Sequence, residues 1–145
     1  MYKRQREALK LFLKTGHGFL LVDSICSSEA FTKSFRKEIK YITGQELEPI
    51  PADHPIWKRE LPFTYQIDEV TLRSPDPKVQ GGFRLKKTPP LMEGISVNDR
   101  LVVVFSPYDL SCALENSRYS QCKGYSREDA EKLIMNILQY RLQTD

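Results

Sequence analysis

Two uninterrupted apolar runs constrain the fold of this chain more than any other feature. The first covers Phe19 to Val22 and the second covers Leu101 to Phe105. Neither run shows the polar alternation of a strand with one face in water, so both are typical of strands buried on both faces. We expect them to lie side by side and parallel at the centre of a sheet.

Segments with helical periodicity accompany the two predicted strands. The spacing of apolar residues predicts a first helix over 6–15, which ends at Gly16. A second helix begins at a cap formed by Ser27 or Ser28 and ends at Gly44. Its predicted apolar stripe consists of Phe31, Phe35, Ile39 and Ile42. This stripe should face the sheet.

The chain ends on a third helical pattern. Ser126 can cap this helix, with Asp129 in a variant of the capping box. The predicted apolar face consists of Ala130, Leu133, Ile134, Ile137 and Leu138. We expect this face to cover the sheet as well.

The segments between these elements are less regular. Three prolines make 45–59 a loop, because proline is excluded from regular helix. Residues 61–90 contain two strand-like stretches around the turn "SPDPK", and we interpret them as a variable insertion. Asn98 and Asp99 tolerate positive φ and predict a tight turn between a short strand and the second buried run.

The order of elements predicts a single α/β domain over 1–145. A doubly wound sheet usually needs more than two central strands, and this chain opens on a helix, so we expect a strand–helix unit upstream and interpret the sequence as N-terminally truncated. The first five residues, "MYKRQ", resemble translated remnants of sequencing adapters. A native start at Met1 is therefore not assumed.

Composition excludes some classes of function. Basic residues are interleaved with acidic ones, as in "KRQREALK", so we predict no nucleic-acid binding. We predict no membrane span in this segment, since no apolar run approaches 20 residues, and no secretion signal is visible. Cys26, Cys112 and Cys122 form no C-x-x-C pair, which argues against a disulfide framework and against a thiolate zinc site. A Cys112–Cys122 bridge remains open for an exported chain.

Polar residues follow both predicted core strands. Asp23 follows the first run, and Ser106 and Asp109 follow the second. Ligands of open α/β sheets bind at the carboxyl ends of the strands, so we expect these residues on one rim as ligand-binding candidates. Each aspartate could instead cap the turn that follows it.

Four more polar residues are candidates for the same region. His54 precedes a proline, which favours an extended conformation, and its loop could fold back over the rim. His54 could instead pin that loop through a backbone hydrogen bond. Glu115 and Asn116 approach from the segment after Asp109, and Asn136 lies at the edge of the last helix's apolar face. A hydrogen bond back to the sheet or a loop is the most economical use of Asn136.

Two kinds of chemistry are candidates for this rim. A metal site of Asp23, His54, Asp109 and Glu115 is chemically allowed, but no H-x-H or H-x-x-E spacing supports it. Cys26 as a nucleophile would need the small flanking residues of a nucleophile elbow, which "DSICSSE" lacks. We therefore predict neither a resident metal nor a cofactor.

Four linked stretches carry a family resemblance. They are "GHGFLLVDS", "ELEPIPADHPIW", "LMEGISVNDRLVVVFSPYDLSCALE" and "AEKLIMNILQY". In this order they resemble the bacterial domain of unknown function 4159 family over most of residues 8–142, apart from the insertion. Two positions depart from the family pattern: Ser24 replaces the second aspartate, and His17 replaces the first glycine of the strand.

The resemblance implies a flavodoxin-like, class I glutamine amidotransferase-like three-layer sandwich. It also implies a bacterial periplasm or cell-envelope setting, with recurrent polar positions at Asp23, His54, Asp109 and Asn136. No Cys-His-Glu set is recognisable, so the leading hypothesis is a non-catalytic domain that binds a small polar ligand or a bacterial protein partner. The alternative is a hydrolase-like or metal-assisted enzyme that uses Asp23, His54 and Asp109.

Overall fold

The computed structural model describes residues 2–16, 18–115 and 122–143. The helices are α1 (Lys3–Lys14), α2 (Glu29–Thr43), α3 (Ser111–Leu114) and α4 (Arg127–Gln143). The strands are β1 (Leu20–Asp23), β2 (Glu48–Pro49), β3 (Val70–Pro75), β4 (Phe83–Thr88), β5 (Glu93–Val97), β6 (Arg100–Ser106) and β7 (Gly124–Tyr125). Short 3₁₀ turns follow at Ile25–Ser27 and Pro55–Trp57.

The two apolar runs form a parallel pair, as predicted. The main sheet has the order β1-β6-β5-β2, and β1 pairs with β6 so that Leu20 lies opposite Val103 and Asp23 lies opposite Ser106. Both strands therefore end at the same edge of the sheet. The other two pairs are antiparallel, which makes this a mixed sheet.

A tight hairpin joins β5 to β6. Asn98 and Asp99, with φ of 52° and 62°, form the predicted turn. The register shifts between Ile95 and the next residue, which is the mark of a β-bulge. As a result Val102 and Val103 both pack into the apolar cluster that contains Leu13 of α1 and Ile39 of α2.

Helices cover both faces of the main sheet. On one face α2 packs against β6, with the rings of Phe35 and Phe105 at 4.9 Å between centroids. On the other face Leu133 and Ile137 of α4 pack with Val104 in a second apolar cluster. The mixed α/β class is confirmed, with two sheets and four helices among the described residues. None of the described helices is long and apolar enough to cross a membrane.

The predicted ends of α2 and the predicted start of α4 are confirmed by their caps, whereas α1 begins at Lys3, three residues before its predicted start. Ser28 accepts a hydrogen bond from the Phe31 N–H at 3.3 Å, and Gly44 ends α2 at a φ of 76°. The Ser126 hydroxyl accepts from the Asp129 N–H at 3.2 Å at the start of α4. Each of these caps depends on the side chain or backbone preference of one or two residues, so it can be predicted from the sequence.

The apolar faces predicted for α2 and α4 are longer than the faces that the structure buries. Phe31 is 43% exposed at the start of α2, and Leu138 is 49% exposed near the end of α4. On α4, the polar Asn136 is buried instead. Periodicity assigns a residue to a side of a helix, but it cannot show how far the covering layer extends.

Residues 61–90 contribute a second, smaller sheet. Strands β3 and β4 form an antiparallel hairpin, and β7 pairs with the other edge of β3, giving the order β4-β3-β7. The two strand-like stretches thus pair with each other. The first of these strands begins at Val70. Earlier in the same stretch, the Thr64 side chain holds a turn by accepting from the N–H of Leu61 and donating to its carbonyl.

Candidate functional site

The carboxylate of Asp23, at the end of β1, holds the turn that follows β6. Its Oδ2 accepts hydrogen bonds from the N–H of Leu110 at 3.1 Å, the N–H of Ser111 at 3.1 Å and the Ser111 hydroxyl at 3.0 Å. The two parallel strands are thus joined beyond their last paired residues. Asp23 therefore caps the turn at Leu110 and Ser111, and not a turn in its own segment.

Asp109 makes the reciprocal connection back to the segment after β1. Its carboxylate accepts from the N–H of Cys26 and from the N–H of Cys112, the latter at 2.7 Å. The Cys122 thiol donates to the same carboxylate at 3.3 Å. Burial opposes ionisation, but these donated bonds outweigh it, so the pKa of the Asp109 carboxyl lies below its ordinary value.

Three thiols gather around Asp109. The sulfur atoms of Cys26, Cys112 and Cys122 and an Asp109 carboxylate oxygen all lie within 4.8 Å of one another. The Sγ atoms of Cys26 and Cys122 are 2.7 Å apart, and all three cysteines are free. Burial raises the pKa of the Cys112 thiol to about 11 and raises that of the Cys122 thiol well above its ordinary value. Both thiols are therefore less acidic than an ordinary cysteine.

The cysteine cluster was missed in the sequence, where cysteine spacing argued against a thiolate zinc site. A signal was present: Cys26 comes three residues after Asp23, and Cys112 comes three residues after Asp109. Because β1 and β6 are parallel and end at one edge, and each thiol follows an aspartate that holds the turn of the other segment, the two thiols come together. Only Cys122, ten residues further along the chain, had no such indication.

The backbone around Cys26 is constrained. Cys26 and Ser27 both have positive φ, at 51° and 54°. A non-glycine residue in this region costs about 1–3 kcal/mol and persists only where its surroundings impose it. The Cys26 N–H to Asp109, and the bond at 2.9 Å from the Ser27 hydroxyl to the Lys123 carbonyl, supply that constraint.

The other residues predicted after β6 lie at the same edge. Ser106 is completely buried, and its hydroxyl donates to the Tyr108 carbonyl at 2.6 Å, which fixes the exit from the strand. Glu115 lies at the end of α3 with an exposed side chain. Asn116 lies outside the described residues, as does His17.

His54 is at the opposite end of the main sheet. Its ring packs against Tyr140, with 5.2 Å between centroids, and the Tyr140 hydroxyl accepts from the N–H of Leu101 at the start of β6. The five residue steps from Leu101 to Ser106 span about 16 Å. The expected approach of the His54 loop to the rim is therefore not seen. Shared acid–base chemistry with Asp23 or Asp109 would need hydrogen-bond contact, directly or through a water.

His54 instead fixes its own loop. Its φ of −61° and ψ of 139° give the extended conformation expected before proline, and Nδ1 accepts from the Ile56 N–H at 3.1 Å. Burial lowers the pKa of His54, with a smaller opposing effect of Asp53. Trp57 packs in the core next to this turn and donates to the Pro51 carbonyl at 3.0 Å.

Asn136 links α4 to two loop segments. Its side-chain oxygen accepts from the Tyr65 N–H at 2.8 Å, and its amide nitrogen donates to the carbonyls of Ile56 at 2.9 Å and Tyr65 at 2.8 Å. Asn136 is only 2% exposed. The expected hydrogen bond from this residue back to a loop is confirmed, and its three partners leave little capacity for a ligand.

A groove of about 380 Å³ opens beside the rim. It lies between α2 and the segment after β6, and its polar lining consists of Ser27, Glu29, Thr32, Lys33, Arg36, Tyr108 and Lys123. The Lys123 ammonium sits 5.2 Å from the centroid of the Tyr108 ring. Arg36 of the lining is paired with Glu93, whereas among the described residues neither lysine forms an ion pair. The two lysines outnumber the one carboxylate of the lining, Glu29, so the groove keeps a net positive charge.

A larger cavity of about 650 Å³ lies away from the rim, between the β3–β4 hairpin and the start of α4. Its two lysines are paired within the cavity: Lys132 with Glu128 at 2.6 Å, and Lys87 with Glu69 at 3.9 Å. Its lysines are thus compensated, and two further carboxylates, Asp68 and Asp129, leave this cavity negatively charged. The groove at the rim is therefore the better candidate for an anionic ligand.

Comparison with known proteins identifies the family. No curated protein and no solved structure matched the chain. A family model described as a domain of unknown function (DUF4159) matches residues 1–142. That match spans the parallel strands, both aspartates and all three cysteines of the rim. The chain belongs to the DUF4159 family of domains of unknown function.

Proposed function

We propose that this chain is a non-catalytic domain that binds a small, negatively charged polar ligand in the groove beside the rim. The observation that carries the proposal is the groove's position and charge. It opens where the parallel strands β1 and β6 end, which is the usual ligand site of open α/β sheets. Lys33 and Lys123 outnumber the one acidic residue of the lining, Glu29, and neither lysine forms an ion pair among the described residues.

The neighbouring carboxylates support a binding role over a catalytic one. Asp23 and Asp109 each accept at least three hydrogen bonds from the turns that they hold. A carboxylate used in this way is a poor general base, because taking up a proton would break the bonds that fix the rim. No observation favours the hydrolase-like or metal-assisted alternative built on these aspartates and His54.

We further infer that the domain is a version of the flavodoxin-like, glutamine amidotransferase-like sandwich. Helices on both faces of the sheet, and a parallel pair of buried central strands, support this inference. The family resemblance also favours a bacterial cell-envelope setting. In such a setting the acidic group could belong to a free metabolite or to the surface of a protein partner.

Thermal unfolding of the 145-residue protein with a panel of small anions tests the proposal. The panel would contain inorganic phosphate, citrate, L-glutamate and a nucleoside triphosphate. Ligand at 100 times its Kd stabilises the folded state by about 2.7 kcal/mol, enough to raise Tm by several degrees. Calorimetric titration would then give the affinity of each anion that raises Tm.

Matched lysine variants locate the site. Lys33→Ala with Lys123→Ala should abolish the Tm rise, because the groove then keeps only Arg36, whose charge is paired with Glu93. Lys86→Ala, an exposed lysine on β4, should leave it unchanged. Equal binding by the groove variant would contradict the proposed site. If no anion binds, a pull-down that depends on the two groove lysines would assign the surface to a protein partner, and its failure would reject the binding role.

A further inference from the structure

Four potential metal ligands converge where the segments after β1 and β6 meet. They are the thiols of Cys26, Cys112 and Cys122 and the carboxylate of Asp109, with ligand atoms within 4.8 Å of one another. A zinc–sulfur bond of about 2.3 Å places neighbouring ligands of a tetrahedral site about 3.8 Å apart. Shifts of about 1 Å in the side chains would therefore bring all four onto one ion.

We propose that these four residues form a binding site for a thiophilic metal ion, with zinc as the divalent ion that fits them best. Thiolate ligands select zinc and other soft ions over magnesium or calcium. Four protein ligands would fill a tetrahedral sphere, which is the arrangement of structural zinc sites and not of catalytic ones. The site differs from the sequence-based metal set, since it uses Asp109 without Asp23, His54 or Glu115.

The carboxylate ligand is already oriented for this role. The N–H groups of Cys26 and Cys112 donate to Asp109, and the Ser111 hydroxyl lies 3.3 Å from its Oδ1. Ser111 is in turn held by Asp23. Such outer hydrogen bonds hold metal ligands in place and are a regular part of metal sites. A metal would replace the thiol proton that Cys122 now directs at the carboxylate.

The convergence of four groups distinguishes a metal site from a redox pair. A Cys26–Cys122 disulfide would use two thiols and leave the third, Cys112, within 4.8 Å of both without a partner in that chemistry. Cys26 is exposed and Cys122 is buried, so an ion could enter from the Cys26 side. Each coordinating thiol gives its proton to solvent on binding.

This inference goes beyond the proposed function and does not depend on it. Although the groove and the cysteine cluster adjoin, none of the four metal ligands is among the residues that line the groove. Loss of anion binding would therefore leave the metal site untouched. Metal binding can also be measured in the absence of any anionic ligand, so the two proposals can fail separately.

Metal binding by the reduced, metal-free 145-residue protein is the test. After incubation with zinc and desalting, elemental analysis should find one zinc ion per chain, and a chromophoric chelator in competition would give the Kd. Cobalt(II) in its place should show a thiolate charge-transfer band and the intense visible bands of a tetrahedral ion. Zinc should also slow alkylation of Cys26 in the unaltered protein, and a chelator should restore the rate.

Variants then assign the ligands. Cys26→Ser and Cys112→Ser should each weaken zinc binding at least tenfold, with folding checked by circular dichroism. Ile25→Ser, at an exposed residue of the same turn, should bind zinc like the parent. Unchanged zinc affinity in Cys26→Ser would overturn the site. So would a parent protein that takes up neither ion after reduction, or that yields a Cys26–Cys122 disulfide and no metal.

Discussion

Asp23 accepts two hydrogen bonds from Ser111, one from the backbone N–H at 3.1 Å and one from the hydroxyl at 3.0 Å, across 88 residues of sequence. This pair ties the end of β1 to the first turn of α3. Because the Ser111 hydroxyl also lies 3.3 Å from Oδ1 of Asp109, the two carboxylates of the rim share one hydroxyl. The rim is therefore a single hydrogen-bonded unit.

The first prediction concerns this unit. Asp23→Asn removes the charge that strengthens three bonds, and hydrogen bonds to charged groups contribute about 1.5–3 kcal/mol. We expect a loss of about 2 kcal/mol in the free energy of unfolding, measured in urea. A double-mutant cycle with Ser111→Ala should give a coupling energy above about 0.5 kcal/mol. Additive effects of the two substitutions would contradict the shared unit.

The second prediction compares a buried polar residue with an exposed apolar one on α4. Asn136→Ala leaves the Tyr65 N–H, the Tyr65 carbonyl and the Ile56 carbonyl without their partner. Such orphaned groups cost about 1–3 kcal/mol each, so we expect a loss of at least 3 kcal/mol. Leu138→Ala should cost less than about 1 kcal/mol, because its side chain is already half in water. A larger loss for Leu138→Ala in chemical denaturation would refute this ranking.

The third prediction concerns pH. Burial lowers the pKa of His54 from 6.5, so the unfolded chain binds its proton first as pH falls. The stability contributed by neutral His54 is thus present above about pH 6.5 and is lost as pH falls through the lower, folded pKa. His54→Asn keeps a side-chain acceptor for the Ile56 N–H but cannot titrate.

Unfolding free energies measured from pH 7.5 down to pH 5 should therefore fall more steeply in the parent than in His54→Asn. His17 is present in both proteins, so its contribution cancels in the comparison. Parallel pH profiles, or a His54 proton NMR titration with a pKa above 6.5, would show that burial does not control this residue.

The fourth prediction concerns the approach of β7 to the rim. A Cβ added to Gly124 would lie 2.5 Å from the Asp109 carbonyl oxygen, and the two segments are joined by a bond from the Tyr125 N–H to that oxygen. Gly124→Ala must push this backbone apart, so we expect a loss of about 3 kcal/mol. Gly44→Ala has open space but a φ of 76°, and should cost about 1 kcal/mol. Equal losses in thermal unfolding would argue against the steric cause.

The sequence by itself determined the elements whose signals are local. The continuous apolar runs from Phe19 and from Leu101 required buried strands, because such runs have no face that can remain in water. The caps at Ser28 and Ser126, and the turn at Asn98, follow from the side chains and backbone preferences of single residues. Even the common rim of Asp23 and Asp109 followed, since parallel strands end at one edge.

Tertiary structure decided everything that depends on contacts between distant segments. The path of the proline-rich loop placed His54 beside Tyr140, at the start of β6, while Asp23 and Asp109 lie at its end. Cys122 reaches Cys26 across 96 residues through the pairing of β7 with β3, which no local pattern encodes. Periodicity reports which side of an element is apolar, and only packing decides which polar groups meet there.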